Sequence, residues 1–288
     1  MIASIYRTLF RNVPGSIGLV CLLLTGSAAS EVVHEKLENG LMASAYYLPS
    51  DGQNSPILIL HGFLQTWDFF TVRRIATALH EAGHPVLLPN LTLGIENRRQ
   101  SLACEAVHNH SMYQDVSEIA FWVKWLSHDT GRPITLIGHS AGSLTLVAYL
   151  DRYHDAPVGK SILISLIAFA QGPVAKENKK EQLRAEADLH KATDKLHSYR
   201  LAYCDKFITT PVNYLSYLTW NQQRTLDAIV RMDRKPSIIL GSNDNRLGSD
   251  WKQQLQALEA SVIEIEGADH FFDHSHEFDL LDSIEQLL

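Results

Sequence analysis

Residues Pro133 to Leu150, PITLIGHSAGSLTLVAYL, decide the fold. Ile134 to Ile137 is a short apolar run rich in β-branched residues, as in a strand buried on both faces. After Gly138-His139-Ser140-Ala141-Gly142 the chain continues as Leu144-Thr145-Leu146-Val147-Ala148, apolar almost all round like a buried helix. A strand that enters a helix through Gly-x-Ser-x-Gly must turn sharply. The serine at the apex takes a strained backbone, and glycine two residues before and after leaves room for the crossing chain. Its hydroxyl then stands at a helix N-terminus, where the dipole favours negative charge. The bare pattern arises by chance in roughly one chain in ten of this length. Its meaning therefore depends on what precedes and follows it.

Upstream, Val32 to Glu38, Asn39-Gly40 and Leu41 to Leu48 predict a hairpin, because both turn residues tolerate positive φ. Pro56-Ile57-Leu58-Ile59-Leu60 is a second buried strand and ends in His61-Gly62-Phe63-Leu64. Val72, Ile75, Ala76 and Leu79 have helical spacing, Pro85 to Pro89 is a short strand, and Val116 to Leu126 is another amphipathic helix. Between those last two lies the irregular stretch Asn90 to Ser111, of a length usually functional or stapled. Downstream, Ser161 to Leu166 and Pro236 to Leu240 are buried strands, and Val262 to Ile265 is the last. Trp251, Leu255 and Leu258 mark a helix, and Leu280, Leu281, Ile284, Leu287 and Leu288 the closing one. This alternation predicts an α/β fold, a mostly parallel sheet with helices on both faces and ligands beyond the strand carboxyl ends. It lapses between 171 and 234, which is read as a helical insertion over the sheet. There Leu189, Leu196, Tyr199 and Tyr203 are placed along one helical face.

Four candidate groups fall at predicted strand ends. Ser140 is the nucleophile, and its hydroxyl is weak until a base takes the proton. His270, directly after the last strand, is the base. Asp244, after the preceding strand, fixes the imidazole tautomer and stabilises the imidazolium. Backbone N–H groups of Phe63 and Ala141 are the oxyanion donors, with Leu64 the alternative to Phe63. The rivals are His274 and His276 for the base and Asp269 for the acid. Asp269 is adjacent to His270, so its side chain should point elsewhere. His61 and His139 are assigned structural hydrogen bonds, and His108 and His110 a place in loop structure. His270, His274 and His276 make a poor metal site without cysteine or a placed carboxylate. Trp67, Phe69 and Phe70 are candidates for either an acyl pocket or the core, as are the aromatics of 171 to 234.

Together His61-Gly62-Phe63, Gly138 to Gly142, Gly241-Ser242-Asn243-Asp244 and Gly267-Ala268-Asp269-His270 resemble the α/β-hydrolase fold superfamily over residues 31 to 288. The order Ser, Asp, His is that fold's order. The resemblance implies a sheet of about eight strands with a helical cap after the sixth. It implies a serine hydrolase that cleaves a carboxylic ester through an acyl-enzyme, with no metal or organic cofactor. The chain carries His-Gly-Phe where some lipases and esterases carry His-Gly-Gly-Gly, so the resemblance does not choose a subfamily. Aromatic residues near the site favour an apolar acyl group. Alternatives on the same fold are amidase, peptidase, acyltransferase and cofactor-free peroxidase chemistry. An alternative of another class is a non-catalytic binding protein.

The 288-residue chain has a net charge of −7 and 45% hydrophobic residues, with no basic run suited to nucleic acid. Its expected partner is a small-molecule ester. Residues 1 to 30 read as a cleaved signal peptide: Arg7 and Arg11, an apolar core from Ile17 to Leu24, then Gly26-Ser27-Ala28-Ala29-Ser30. An uncleaved membrane anchor is the alternative. Cys21 lacks the small residue that precedes a lipidated cysteine. Cleavage removes two arginines and no acid, taking −7 to −9, and leaves no stable membrane insertion. Export to periplasm or medium then makes Cys104 and Cys204 a candidate disulfide. Asn90 and Asn109 lie in Asn-x-Ser/Thr sequons, which matter only in a eukaryotic secretory pathway.

Overall fold

The computed structural model describes residues 30–169, 175–191 and 194–288, so the expected leader lies outside the described residues. Strands β1 (Glu31–Lys36) and β2 (Met42–Leu48) pair antiparallel across a turn where Gly40 takes φ 87°, as Asn39-Gly40 predicts. Then follow β3 (Ile57–Leu60), α1 (Phe70–Glu81), β4 (Val86–Asn90), α2 (Met112–Thr130), β5 (Ile134–His139), α3 (Ala141–Arg152) and β6 (Val158–Ile164). After an insertion come β9 (Ser237–Gly241), α7 (Ser249–Gln256), β10 (Ser261–Ile265) and α8 (His276–Leu287).

The eight-stranded sheet has the order β1-β2-β4-β3-β5-β6-β9-β10 and is parallel from β4 onward. β3 and β5 are buried along their whole length, which is why they read as unbroken apolar runs. One core lies between the sheet and α2, α3 and the insertion, and includes Leu58, Trp122 and Leu144. The other lies under α1 and α8 and includes Ile59, Ile75 and Ile284. Ser111 caps α2 by accepting from Gln114 N–H, and Gly131 ends it at φ 64°. Among the described residues no helix is long and apolar enough to cross a membrane.

The insertion follows the sixth strand, and its composition differs from the purely helical reading. It contains α4 (Ala175–Lys191), the antiparallel hairpin β7 (His197–Leu201) and β8 (Cys204–Thr209), then α5 (Pro211–Leu218) and α6 (Gln222–Arg231). The supposed helical face thus breaks after Lys191. Tyr199 and Leu201 are buried at a period of two while Leu196 is exposed, which is a strand pattern. The irregular 91–111 stretch is stapled to this hairpin. Cys104 and Cys204 form a disulfide with Cα atoms 5.3 Å apart. His108 N–H donates to the Ile208 carbonyl at 2.8 Å, and the Thr209 hydroxyl to the His108 carbonyl at 2.6 Å. Asn90 is buried: it accepts from Trp67 N–H and donates to the Arg98 carbonyl, so its sequon is no surface acceptor.

Candidate active site

β5 delivers Ser140 onto a turn with φ 57° and ψ −122°, a conformation outside the ordinary regions for a residue with a side chain. The glycines permit it. A Cβ on Gly138 would lie 2.7 Å from Ser143, and one on Gly142 would lie 2.4 Å from the His61 carbonyl oxygen. The Ser140 N–H donates to the Ile164 carbonyl, which ties the apex to β6.

His270 and Asp244 converge on this serine. His270 Nε2 lies 2.9 Å from Ser140 Oγ, and its Nδ1 lies 2.7 Å from Asp244 Oδ2. His270 and Asp244 are 4% and 1% exposed, so water competes poorly for either bond. With Nδ1–H donating to the carboxylate, Nε2 is left to accept the serine proton. Burial pushes the Asp244 carboxyl up. The His270 bond and charge, the Ser165 hydroxyl and the Arg246 N–H outweigh that and hold it below the usual carboxylate range. The backbone of His270 is also held: its carbonyl accepts from His139 Nε2 at 2.9 Å and from the Ser165 hydroxyl at 3.3 Å.

The loop after β3 passes the serine, with a Cβ on Gly62 falling 3.5 Å from Ser140 Cβ. Among the described residues the N–H groups of Phe63 and Ala141 bond to nothing. Both residues border a cavity of about 20 Å³, walled also by Leu91, Leu93, Phe169 and Tyr217. His61 braces the loop: its Nδ1 donates to the Gly62 carbonyl, and its Nε2 accepts from Leu91 N–H and Arg98 Nη2. Burial, then the Arg98 charge, push its pKa down to about 3, so it stays neutral and structural. From the insertion, the Tyr203 hydroxyl donates to the Phe63 carbonyl at 3.1 Å. A wider groove of about 940 Å³ runs along α2 to the end of α3, by Tyr113, Phe121 and Tyr153, and Ser140, Asp244 and His270 do not line it.

The rival residues are elsewhere. Asp269 is exposed and its Oδ1 accepts from Phe271 N–H and Asp273 N–H in a local turn. His274 is exposed, and His276 opens α8 beside Gly267. Burial first, with the His270 charge, pushes His139 down to about 3, leaving it a neutral donor to the His270 carbonyl. His108 stacks on Phe207 with ring centroids 4.0 Å apart, and His110 bonds the Tyr217 hydroxyl at 2.5 Å. Trp67 belongs to the core beside Tyr46, whereas Phe69 stacks on His139 and meets Phe271. Among the described residues no three metal-ligating side chains form a site.

Two residues here have no role in the sequence reading, Ser165 and Arg246, and Tyr203 is expected on a helix rather than a hairpin. Ser165 stands just after β6 at φ 47°, a strand end like those of Ser140, Asp244 and His270. Arg246 lies two residues after Asp244. The Tyr203 bond to Phe63 has no local signal, because only the pairing of β7 with β8 brings Tyr203 there.

Known structures share this architecture at low sequence identity. Est1E from Butyrivibrio proteoclasticus superposes with a TM-score of 0.62 at 15% identity, covering 88% of this chain and 96% of its own. The alpha/beta hydrolase GrgF from Penicillium sp. sh18 gives 0.68 at 15%, covering 90% and 98%. A soluble variant of monoglyceride lipase from Saccharomyces cerevisiae gives 0.64 at 13%, covering 91% and 95%. No curated protein sequence matches the chain. The sequence profile described as the alpha/beta hydrolase family matches residues 57–281, which run from β3 into α8 and include Ser140, Asp244 and His270. The chain belongs to the alpha/beta hydrolase family.

Proposed function

We propose that this protein is a serine hydrolase that cleaves carboxylic esters with an apolar acyl group. The relay from Asp244 through His270 to Ser140, at 2.7 and 2.9 Å, carries the reading. Ser140 Oγ attacks the ester carbonyl carbon as its proton passes to His270 Nε2. The carbonyl oxygen becomes an oxyanion facing the Phe63 and Ala141 N–H groups, at the N-terminus of α3. Collapse breaks the bond to the alcohol oxygen, which leaves with the proton from His270 and leaves an acyl group on Ser140. Water then gives a proton to His270 as it attacks the acyl carbon; collapse breaks the bond to Ser140 Oγ, which takes that proton back from His270 as the acid leaves. Leu91, Leu93 and Phe169 beside the oxyanion donors support an apolar acyl group. Est1E and the yeast monoglyceride lipase, similar in fold, bear names consistent with this chemistry.

Labelling with a fluorophosphonate probe tests it, with Ser140→Ala as control. Ser140-dependent labelling is expected, and its absence removes the hydrolase reading. A series of p-nitrophenyl esters then ranks acyl chains, and no turnover across the series counts against an esterase. The Cys104–Cys204 disulfide supports export of the mature chain to an oxidising compartment. Mass spectrometry after alkylation of the exported protein should find no free thiol at either position; two alkylated cysteines overturn that.

A further inference from the structure

Arg246 is a cation at the catalytic relay whose guanidinium has no ion-pair partner among the described residues. Its backbone N–H donates to Asp244 Oδ1 at 3.1 Å, so its place is fixed by the carboxylate that holds His270. Its guanidinium stands 4.8 Å from the centre of the Phe271 ring, and Phe271 is the next residue after His270. Its charge also reaches Tyr203, whose hydroxyl bonds the oxyanion loop, and His139, which supports the His270 carbonyl. The loop after β9 and the His270 loop therefore meet at this side chain. Arg74, Arg184, Arg200 and Arg231 each have a carboxylate within 4 Å. Arg246 is exposed and has none among the described residues. Its planar fork suits a carboxylate or phosphate, and the Phe271 ring beneath holds it ready at little entropic cost.

The reaction fixes which part of the substrate meets this cation. His270 Nε2 must hand its proton to the departing alcohol oxygen, so the alcohol lies on the His270 side. The carbonyl oxygen faces Phe63 and Ala141, whose cavity is walled by Leu91, Leu93 and Phe169 and by the carboxylate of Asp115, which repels an anion. We infer that Arg246 binds an anionic group, carboxylate or phosphate, carried by the alcohol portion of the ester. The preferred substrate is thus an acyl ester of a negatively charged alcohol. This rests on the serine hydrolase reading. A purely solvated arginine on an aromatic face is the competing account, and it gives no charge preference.

Three acetate esters decide between them: those of para-hydroxybenzoate, of para-hydroxyphenyl phosphate, and of the neutral methyl para-hydroxybenzoate. Each kcat/KM is divided by the hydroxide-catalysed rate of the same ester, which removes leaving-group reactivity. Wild type should favour an anionic ester over the neutral one by about tenfold at low salt, the effect of a charge-assisted contact worth about 1.4 kcal/mol. The larger of the two anionic ratios identifies carboxylate or phosphate. The ratio should fall towards one in about 0.5 M NaCl, where the screening length is a few ångströms. In Arg246→Gln, which keeps the backbone bond to Asp244, the ratio should be about one. Turnover without a charge preference, or a preference that survives Arg246→Gln, overturns the inference and leaves the hydrolase reading intact. A preference found only for p-nitrophenyl hemisuccinate over its methyl ester puts the anion on the acyl side and overturns the placement. Absence of Ser140-dependent turnover on every ester defeats both. If Arg246→Gln fails to label with a neutral fluorophosphonate, the wild-type ratio and its salt dependence decide alone.

Discussion

Gly142 leaves no space for a side chain, because a Cβ there would lie 2.4 Å from the His61 carbonyl and 2.6 Å from that of Leu60. Both are backbone atoms of β3 and the loop after it, so α3 would have to back away from the sheet. Gly142→Ala should cost about 3 kcal/mol, the upper part of the range for overpacking, and displace Ala141 N–H from the oxyanion position. A urea titration and the fluorophosphonate labelling rate check this; a variant with wild-type values for both would show that the elbow relaxes freely. Asp244→Asn keeps size but removes the charge facing the Nδ1–H of His270. By analogy with the serine protease triad, kcat should fall about ten-thousandfold while substrate affinity changes little. Steady-state kinetics read this directly, and a loss under tenfold would remove Asp244 from the relay. Ser140, Asp244 and His270 were legible because each follows a buried apolar run at a strand end. Tyr203 was not, since its position depends on a pairing more than one hundred residues from Phe63 in the chain.

At the level of elements, the strands and amphipathic helices could be read because burial on one or two faces imposes a period. The β7–β8 hairpin hid that period: polar residues interrupt it, with Asp205 and Lys206 exposed and His197 and Arg200 half-buried, while Tyr199, Leu201, Cys204, Phe207 and Thr209 are buried. Its order comes from tertiary contacts, chiefly the disulfide that closes a separation of 100 residues. In the chain-entropy account such a closure is worth roughly 4 to 5 kcal/mol. Cys104→Ser/Cys204→Ser should lose stability of that order. It should also slow labelling at Ser140, because Tyr203, next to Cys204, holds the Phe63 carbonyl. Tyr203→Phe isolates the second effect and should lower kcat about tenfold, short of the hundredfold that a 1 Å misplacement can cost. Thermal unfolding with and without reductant, beside single-turnover labelling, separates the two. Equal labelling rates in wild type and both variants would show that the hairpin does not position the oxyanion loop.

For the whole molecule, the buried titratable groups set how stability responds to pH. Burial, the largest cause in each case, holds His61 and His139 down to about 3 and His108 to about 4. In the unfolded chain these rings protonate near 6.5, so the unfolded state binds protons first as pH falls. Their depressed pKa values therefore contribute stability above 6.5 that is lost between 6.5 and about 3 to 4. Glu118 opposes them. It accepts from Thr92 N–H and hydroxyl, yet burial prevails and raises its pKa from 4.5 to about 7. The folded state then holds a proton that the unfolded state has released, so stability falls as pH rises from 4.5 to 7. Between pH 5 and 6 three protons are taken up on unfolding and one is released. These four groups together give a slope of about 3 kcal/mol per pH unit, stability decreasing towards acid. Asp244 adds a further loss below 3.8, where its own depressed pKa lies. Glu118→Gln should raise stability above pH 7 by about 3 kcal/mol, from 2.5 pH units at 1.36 kcal/mol each, and should steepen the acid side between 5 and 6. Urea midpoints of both proteins at pH 8, 6 and 5 test the sign and the size. Stability that holds or rises from pH 7 to 5 in wild type would mean that the buried histidines take up their protons in the folded state. An unchanged midpoint for Glu118→Gln at pH 8 would mean that Glu118 ionises there without cost, its Thr92 bonds outweighing its burial.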